Sequence, residues 1–311
     1  MKLAIICTTI NEQRDEWIRS WKKHGDIYVA GDINSSKWRD VNFISYEEQE
    51  KRWPELSKLI GPNTYARKNF AYLAAMSDGH KWLFETDDDN LPTGEAIFPP
   101  AMGMTPINEK GWFNIPGLCF SYRTFRPRGW PLEKCWHESI NFESMQEFTN
   151  IWQFAQENEP DVDAIERFAK RSHFVTKMHS PVSLSPGQHC PFNSQATLWN
   201  YRVASSMMLP STCTNRVSDI LRGYVAQRFH KIGYCNAGVI QVRNSHNLDV
   251  DFREEMDLYK YTSRIMQMIF EQDSLRGIWD SLDYQGITKK EQKTWKVWDS
   301  TLLELDISVP L

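Results

Sequence analysis

Most of the motifs that announce a reaction on their own are missing from this chain of 311 residues. There is no G-x-G-x-x-G, no Walker A loop, no H-E-x-x-H and no G-x-S-x-G, which sets aside the common dinucleotide clamps, P-loops, zinc peptidases and serine hydrolases. The six cysteines, Cys7, Cys119, Cys135, Cys190, Cys213 and Cys235, form no C-x-x-C pair, so neither a zinc site nor a disulfide framework is suggested. No window approaches the roughly 18 uninterrupted apolar residues of a membrane span. The opening run Met1 to Cys7 turns polar too soon for a signal peptide, and the expectation is a soluble, cytoplasmic chain. Charge of one sign is also lacking: a net charge of -4 argues against a broad nucleic-acid footprint, although a small anionic ligand would need only a few cations. No solenoid-like repeat is present.

What is there begins with strands and helices in alternation. Leu3 to Thr8 is an apolar, β-branched run, followed by a helical stretch near Arg14 to His24 and strand candidates at Ile27 to Ala30 and Val41 to Ile44. Thr64 to Ser77 carries Phe70, Leu73 and Ala74 at helical spacing and stops at Gly79. A proline- and methionine-rich shift from Pro99 to Pro106 divides the chain, giving a first half over 1–105 and a second over 106–250. In the second half Ser218-Asp219 opens a helix that Gly233 closes, and Val239 to Val242 is a late strand. From 251 to 311 the pattern is a helical C-terminal extension. This order predicts an α/β fold: a Rossmann-like, mostly parallel mixed sheet flanked by helices.

The most informative stretch is Glu85-Thr86-Asp87-Asp88-Asp89-Asn90, directly after the strand-like run Lys81 to Phe84. Three consecutive carboxylates at a strand's carboxyl end can hold a divalent cation, and that cation a diphosphate. A solvated acidic turn would look the same in isolation. An EF-hand does not fit, because the third oxygen ligand and the glycine at the sixth position are absent.

Several further segments together resemble one family, the STELLO proteins, whose catalytic-type domain is classed with the GT-A glycosyltransferases. Gly31-Asp32 is similar to its V-G-D element. Arg67-Lys68 through Tyr72-Leu73 to Gly79 is similar to its R-K-x-x-x-Y-L helix, and the acidic cluster to its D-x-D-D. Arg126-Pro127-Arg128-Gly129-Trp130-Pro131-Leu132-Glu133 resembles W-P-R-G-L-P-L-E, Pro160 to Asp163 resembles P-D-V-D, and Pro191 to Ser194 resembles P-x-N-S. Met208-Leu209-Pro210 and Asp219 to Tyr224 with Gln227-Arg228 complete a match over roughly Leu3 to Asp249. A more distant similarity is to UDP-arabinopyranose mutases, but Tyr72 stands near the arginine that those enzymes glycosylate.

The resemblance implies a GT-A-type enzyme that moves a sugar from a nucleotide-sugar donor, a UDP-sugar, to a glycan or small hydroxyl acceptor, with Mn2+ or Mg2+ as cofactor. Asp87 and Asp89, alternating along an extended segment, are the expected metal ligands, with Asp88 facing the other way or toward the donor sugar, and His246 as a further ligand or only a hydrogen-bonding loop residue. Asp32, Thr8 and Thr9 would meet the nucleoside, and Arg67 and Lys68 the diphosphate. Asp219 is the expected base, although an acid at a helix start also serves the helix dipole. Arg126, Arg128 and Arg222 would clamp a phosphate or the acceptor. A mutase, and a nucleotide-sugar-binding or scaffold protein without turnover, are the alternatives, and a homo-oligomer stays open.

Overall fold

The computed structural model describes residues 3–95, 97–100, 102–107, 110–119, 125–134, 140–145, 149–169, 177–242, 247–282 and 287–307. The apolar runs become strands, and because side chains alternate along a strand, each run divides its residues between two layers. In β1 (Leu3–Thr9), Leu3, Ile5 and Cys7 pack with Trp17, Trp21 and Phe84, whereas Ala4 and Ile6 join Leu73 and Tyr224 in the larger cluster. β1 runs parallel to β2 (Asp26–Gly31) and to β4 (Trp82–Thr86), and β2 parallel to β3 (Asn42–Ile44). The crossovers carry α1 (Asp15–Trp21), α2 (Tyr46–Arg52), α3 (Pro54–Ile60) and α4 (Lys68–Ser77).

Beyond β4 the pairing changes sense. β5 (Asn90–Pro92) turns back to lie against β13 (Ile232–Gln241), and β12 (Ala196–Asn200) runs antiparallel to both β4 and β9 (Ile151–Glu157). With β6 (Gly103–Pro106), β8 (Phe142–Met145) and β10 (Val182–Leu184), the mixed sheet has eleven strands among the described residues, ten in the order β3-β2-β1-β4-β12-β9-β13-β10-β6-β8 and β5 off this path against β13. A separate ladder pairs β7 (Gly111–Trp112) with β11 (Gln188–His189). The reversal beside β4 places the start of β12 against the end of β4, Ala196 opposite Thr86. A crevice therefore opens at the carboxyl ends of β1, β2 and β4, where the strand order switches.

After the short α5 (Ala164–Phe168), the long helix α6 occupies Asn215–Phe229. It starts three residues before the expected Ser218 and ends before Gly233, which belongs to β13 instead. The reason is steric: a Cβ at Gly233 would lie 2.1 Å from the Trp152 ring, so this glycine serves the close approach of β13 to β9. The described residues from 248 onward form α7 (Leu248–Glu254), α8 (Met256–Phe270), α9 (Leu275–Ser281) and α10 (Lys289–Glu304) with their short connections. They are not a separate layer. Trp295 and Trp298 of α10 donate to the carbonyls of Ser205 and Ala204, and the larger apolar cluster draws on residues from Ala4 to Ile307. No described helix is long and apolar enough to cross a membrane.

Burial perturbs two histidines in the same direction: it holds His189 and His230 down at about 4, against an ordinary 6.5. Unfolded chains take up these protons first, so both residues contribute stability at neutral pH that is lost as pH falls from about 6.5 to about 4. Asp163 acts oppositely, pushed up to about 7 mainly by desolvation. The melting temperature of His230→Gln, followed across this window, should show a pH dependence reduced by about one proton relative to wild type.

Candidate active site

The acidic segment leaves β4 and immediately turns, with Asn90 N donating to Asp87 O at 3.1 Å. Alternation along an extended strand therefore does not apply, and Asp89 does not share a side with Asp87. The three carboxylates fan out. Asp87 Oδ1 accepts from Lys68 Nζ at 2.8 Å and Tyr65 OH at 2.6 Å, on the α4 side. Asp88 Oδ2 accepts from Asn11 Nδ2 at 2.8 Å and from the Thr9 hydroxyl, on the β1 side. Asp89 turns toward β13, its Oδ2 3.5 Å from Gln241 Nε2 and its carbonyl accepting from Val242 N. Two buried tryptophans of α1 fix the loop's backbone: Trp17 Nε1 donates to Asp87 O and Trp21 Nε1 to Asn90 O, both at 2.9 Å.

These residues line a cleft of about 560 Å³ with Thr8, Asp32, Thr64, Gln195, Arg128, Arg216 and Asp219. Asp32, at the end of β2, accepts from Ile33 N at 2.7 Å and Thr64 N at 3.2 Å, which joins the β2 loop to the segment before α4. The Thr8 hydroxyl is engaged with Ala30 O. Beneath the floor, fully buried Lys68 also donates to Ser194 O at 3.0 Å, so one ammonium ties α4, the acidic loop and the start of β12 together.

On the opposite wall, Arg128 is clamped between two aspartates. Its Nε and Nη2 donate to Asp161, and Nη1 and Nη2 donate to Asp219 Oδ1 and Oδ2 at 2.7 and 2.9 Å. Gly129, with φ of 90°, lets this loop press on α6, where a Cβ would lie 2.5 Å from Ile220. Asp219 also accepts from Ile220 N at 2.9 Å and Ser194 N at 3.2 Å. Oδ1 thus receives two donors and Oδ2 three, counting Ser194 Oγ at 3.5 Å, which leaves no lone-pair position of the carboxylate unclaimed. The arrangement is one for holding Arg128; a proton-accepting role would require breaking it. The guanidinium of Arg128 holds Asp161 below the usual carboxylate range despite burial, and the two carboxylates push Arg128 upward.

The remaining expected site residues lie elsewhere. Arg67 is buried, donating to Gln49 and Ser57 at 2.9 Å and stacking on Tyr46, so it braces α4 against α2 and α3 and does not line the cleft. Arg222 is fully buried against Glu85, with Nη1 to Oε1 at 2.9 Å, and Tyr72 OH closes the same carboxylate at 2.6 Å. Neither residue of this pair lines the cleft. Arg126 lies 3.7 Å from Asp163 and outside the cleft lining. His246 lies outside the described residues. Sequence reasoning missed Asn11, Tyr65, Gln195, Arg216 and Gln241, which enter because each follows or precedes an element whose end the sheet order brings to the crevice. Asn11 lies three residues past the expected strand Leu3 to Thr8 and two past the observed β1.

Among the described residues no three His, Cys, Asp or Glu side chains form a ready-made metal cage. The donor set nonetheless suits an ion that takes one or two carboxylates and completes its shell with phosphate oxygens and water, as Mg2+ does. Asp87 Oδ2 and Asp88 Oδ1 carry no hydrogen bond among the described residues, while Lys68 already compensates part of the charge.

No protein-family model matches the chain. Sequence relatives of the kind named as glycosyltransferases do match it. They are "Probable glycosyltransferase STELLO2" of Arabidopsis thaliana, 25% identical over 284 residues, and "Probable glycosyltransferase STELLO1" of the same plant, 26% identical over 291 residues. The similarity read from the motifs thus extends over 81% of this chain, and the chain spans 36% of the length of either relative. Among solved structures, glucosyl-3-phosphoglycerate synthase from Mycobacterium tuberculosis overlays loosely. In complex with phosphoglyceric acid it gives a TM-score of 0.42 at 12% identity, covering 86% of this chain and 78% of that one. In complex with Mn2+ and UDP-glucose it gives 0.43 at 10% identity, covering 88% and 80%.

The buried position of Arg222 carries its own prediction. Breaking the pair in Arg222→Met should lower unfolding free energy by about 3–5 kcal/mol, read as a shifted denaturant midpoint. Combining it with Glu85→Leu should restore at least half of that loss, because no unpaired charge is then left buried.

Proposed function

We propose that this chain is the sugar-transferring domain of a glycosyltransferase, with a nucleotide-sugar donor, a UDP-sugar by resemblance, laid across the carboxyl ends of β1, β2 and β4. The observation that carries the reading is the convergence of Thr8, Thr9, Asp32 and Asp87 to Asp89 from three parallel strand ends in one cleft. Its volume of about 560 Å³ lies within the range of small-molecule sites. Mn2+ or Mg2+ would be held by the acidic loop, chiefly through the oxygens of Asp87 and Asp88 that the neighbouring donors leave unengaged, and would supply charge neutralisation to a departing diphosphate. Asp32 fixes the loop against which the nucleoside rests. Lys68 holds Asp87 in register from below, and Arg128 and Arg216 form the wall across which a glycan or small hydroxyl acceptor would approach.

Asp219 supports this chemistry by fixing Arg128. The occupied lone pairs of Asp219 favour one second reading, metal-dependent nucleotide-sugar binding without turnover. A mutase fits less well, since Tyr72 is buried against Glu85 and offers the cleft nothing to glycosylate.

Calorimetry with UDP should show binding in Mn2+ that is lost in EDTA. Asp87→Ala and Asp88→Ala should each weaken it at least about tenfold, and unchanged affinity in both would sink the metal assignment. Donor hydrolysis measured alongside separates the two readings: turnover supports transfer, whereas binding with none supports the second.

A further inference from the structure

Arg216 is the second residue of α6 and lines the cleft, yet its partner comes from a part of the chain with no assigned place in the site. Glu255, between α7 and α8, is fully buried. Its Oε1 accepts from Arg216 Nε at 2.8 Å and from Nη2. Its Oε2 accepts from Ala164 N at 2.8 Å and from Tyr259 OH at 2.6 Å. Four donors on one buried carboxylate leave it a single geometry, because any displacement strands a charge out of water. The guanidinium it holds is therefore oriented as well as neutralised. Its Nη1 is left without a hydrogen bond among the described residues, 4.0 Å from Asp161 Oδ1.

We infer that Glu255 is a positioning residue for the cleft: it holds Arg216 so that Nη1, paired with Asp161 only at 4.0 Å, is offered to phosphate oxygens of a bound nucleotide. The inference rests on the proposed function for the identity of that ligand, though not for the coupling between the two residues. Without Glu255, the nearest anion for Arg216 is Asp161, which already serves Arg128. Arg216 would swing onto it, withdraw from the cleft wall and disturb the Arg128 clamp together. Helices α7 and α8 thereby set a contact of the site without lining it.

The test uses the whole chain, UDP with Mn2+ as probe, and calorimetry. Arg216→Gln and Glu255→Gln should each weaken UDP binding by about tenfold, and the double variant should lose no more than either alone, as expected for two residues acting through one contact. Wild-type affinity in Glu255→Gln, or losses that multiply in the double variant, overturns the inference. Tyr259→Phe removes a single hydrogen bond to Glu255 and serves if Glu255→Gln does not fold; a loss of about two- to threefold supports the inference and none overturns it. An NMR signal of the Arg216 Nε–H gives a readout free of nucleotide. It should move in Glu255→Gln even if wild type binds no UDP, an outcome that would defeat the glycosyltransferase reading alone. An unmoved signal overturns the positioning itself.

Discussion

The cleft depends on one buried guanidinium. Arg128 bridges Asp161 and Asp219, and these three charges join the loop before residue 134, the segment entering α5 and the first turns of α6. Removing the cation would leave two carboxylates facing each other in the interior, a more costly state than never having buried them. Satisfied on all sides, the same group is rigid, and rigidity is what a site needs in order to meet charge as it develops without reorganising. The wall of α6 is therefore set by electrostatics, in contrast to the apolar packing that sets the sheet.

The other wall is built differently and meets the first. Tryptophan indoles from α1 pin the acidic loop from outside, while Lys68 and Tyr65 hold it from beneath. Ser194 connects the two systems: its hydroxyl lies 2.8 Å from Tyr65 OH and its backbone N–H donates to Asp219. One polar network thus runs under the floor of the cleft, from the carboxylates of the acidic loop to Arg128 on the opposite wall. The path from Asp87 to Asp219 runs through three hydrogen bonds, Asp87 to Tyr65, Tyr65 to Ser194 and Ser194 to Asp219.

Much of this was legible in the sequence, for reasons of period and composition. Short β-branched runs gave β1, β2 and β4, and the placement of Asp32 and Asp87 to Asp89 at strand ends followed directly. What was hidden depended on partners far along the chain. Nothing local distinguishes Arg222, neutralised by Glu85 in the core, from Arg128, which reaches the cleft, or either from Arg67, enclosed by Gln49 and Ser57. The side assigned to Asp89 failed because a turn replaced the extended backbone on which alternation depends. The start of α6 was misplaced because Thr214, the residue at its N-cap, gives its hydroxyl to Glu254 and leaves no local capping signature.

The order of strands has a bearing on how the protein reaches this state. β1 to β4 form a parallel unit from contiguous sequence, yet the strand that covers the open side of β4 is β12, more than a hundred residues later. Pairing over such separations is slow, so nascent molecules expose the bare edge of β4 for an extended period. A hydrophobic edge of that kind, Trp82-Leu83-Phe84, invites association with another chain. It runs straight into Asp87, Asp88 and Asp89, whose mutual repulsion would oppose the in-register stacking of two such edges. Three carboxylates at the end of an edge that stays open until β12 arrives would thus disfavour pairing with another chain while the sheet is incomplete.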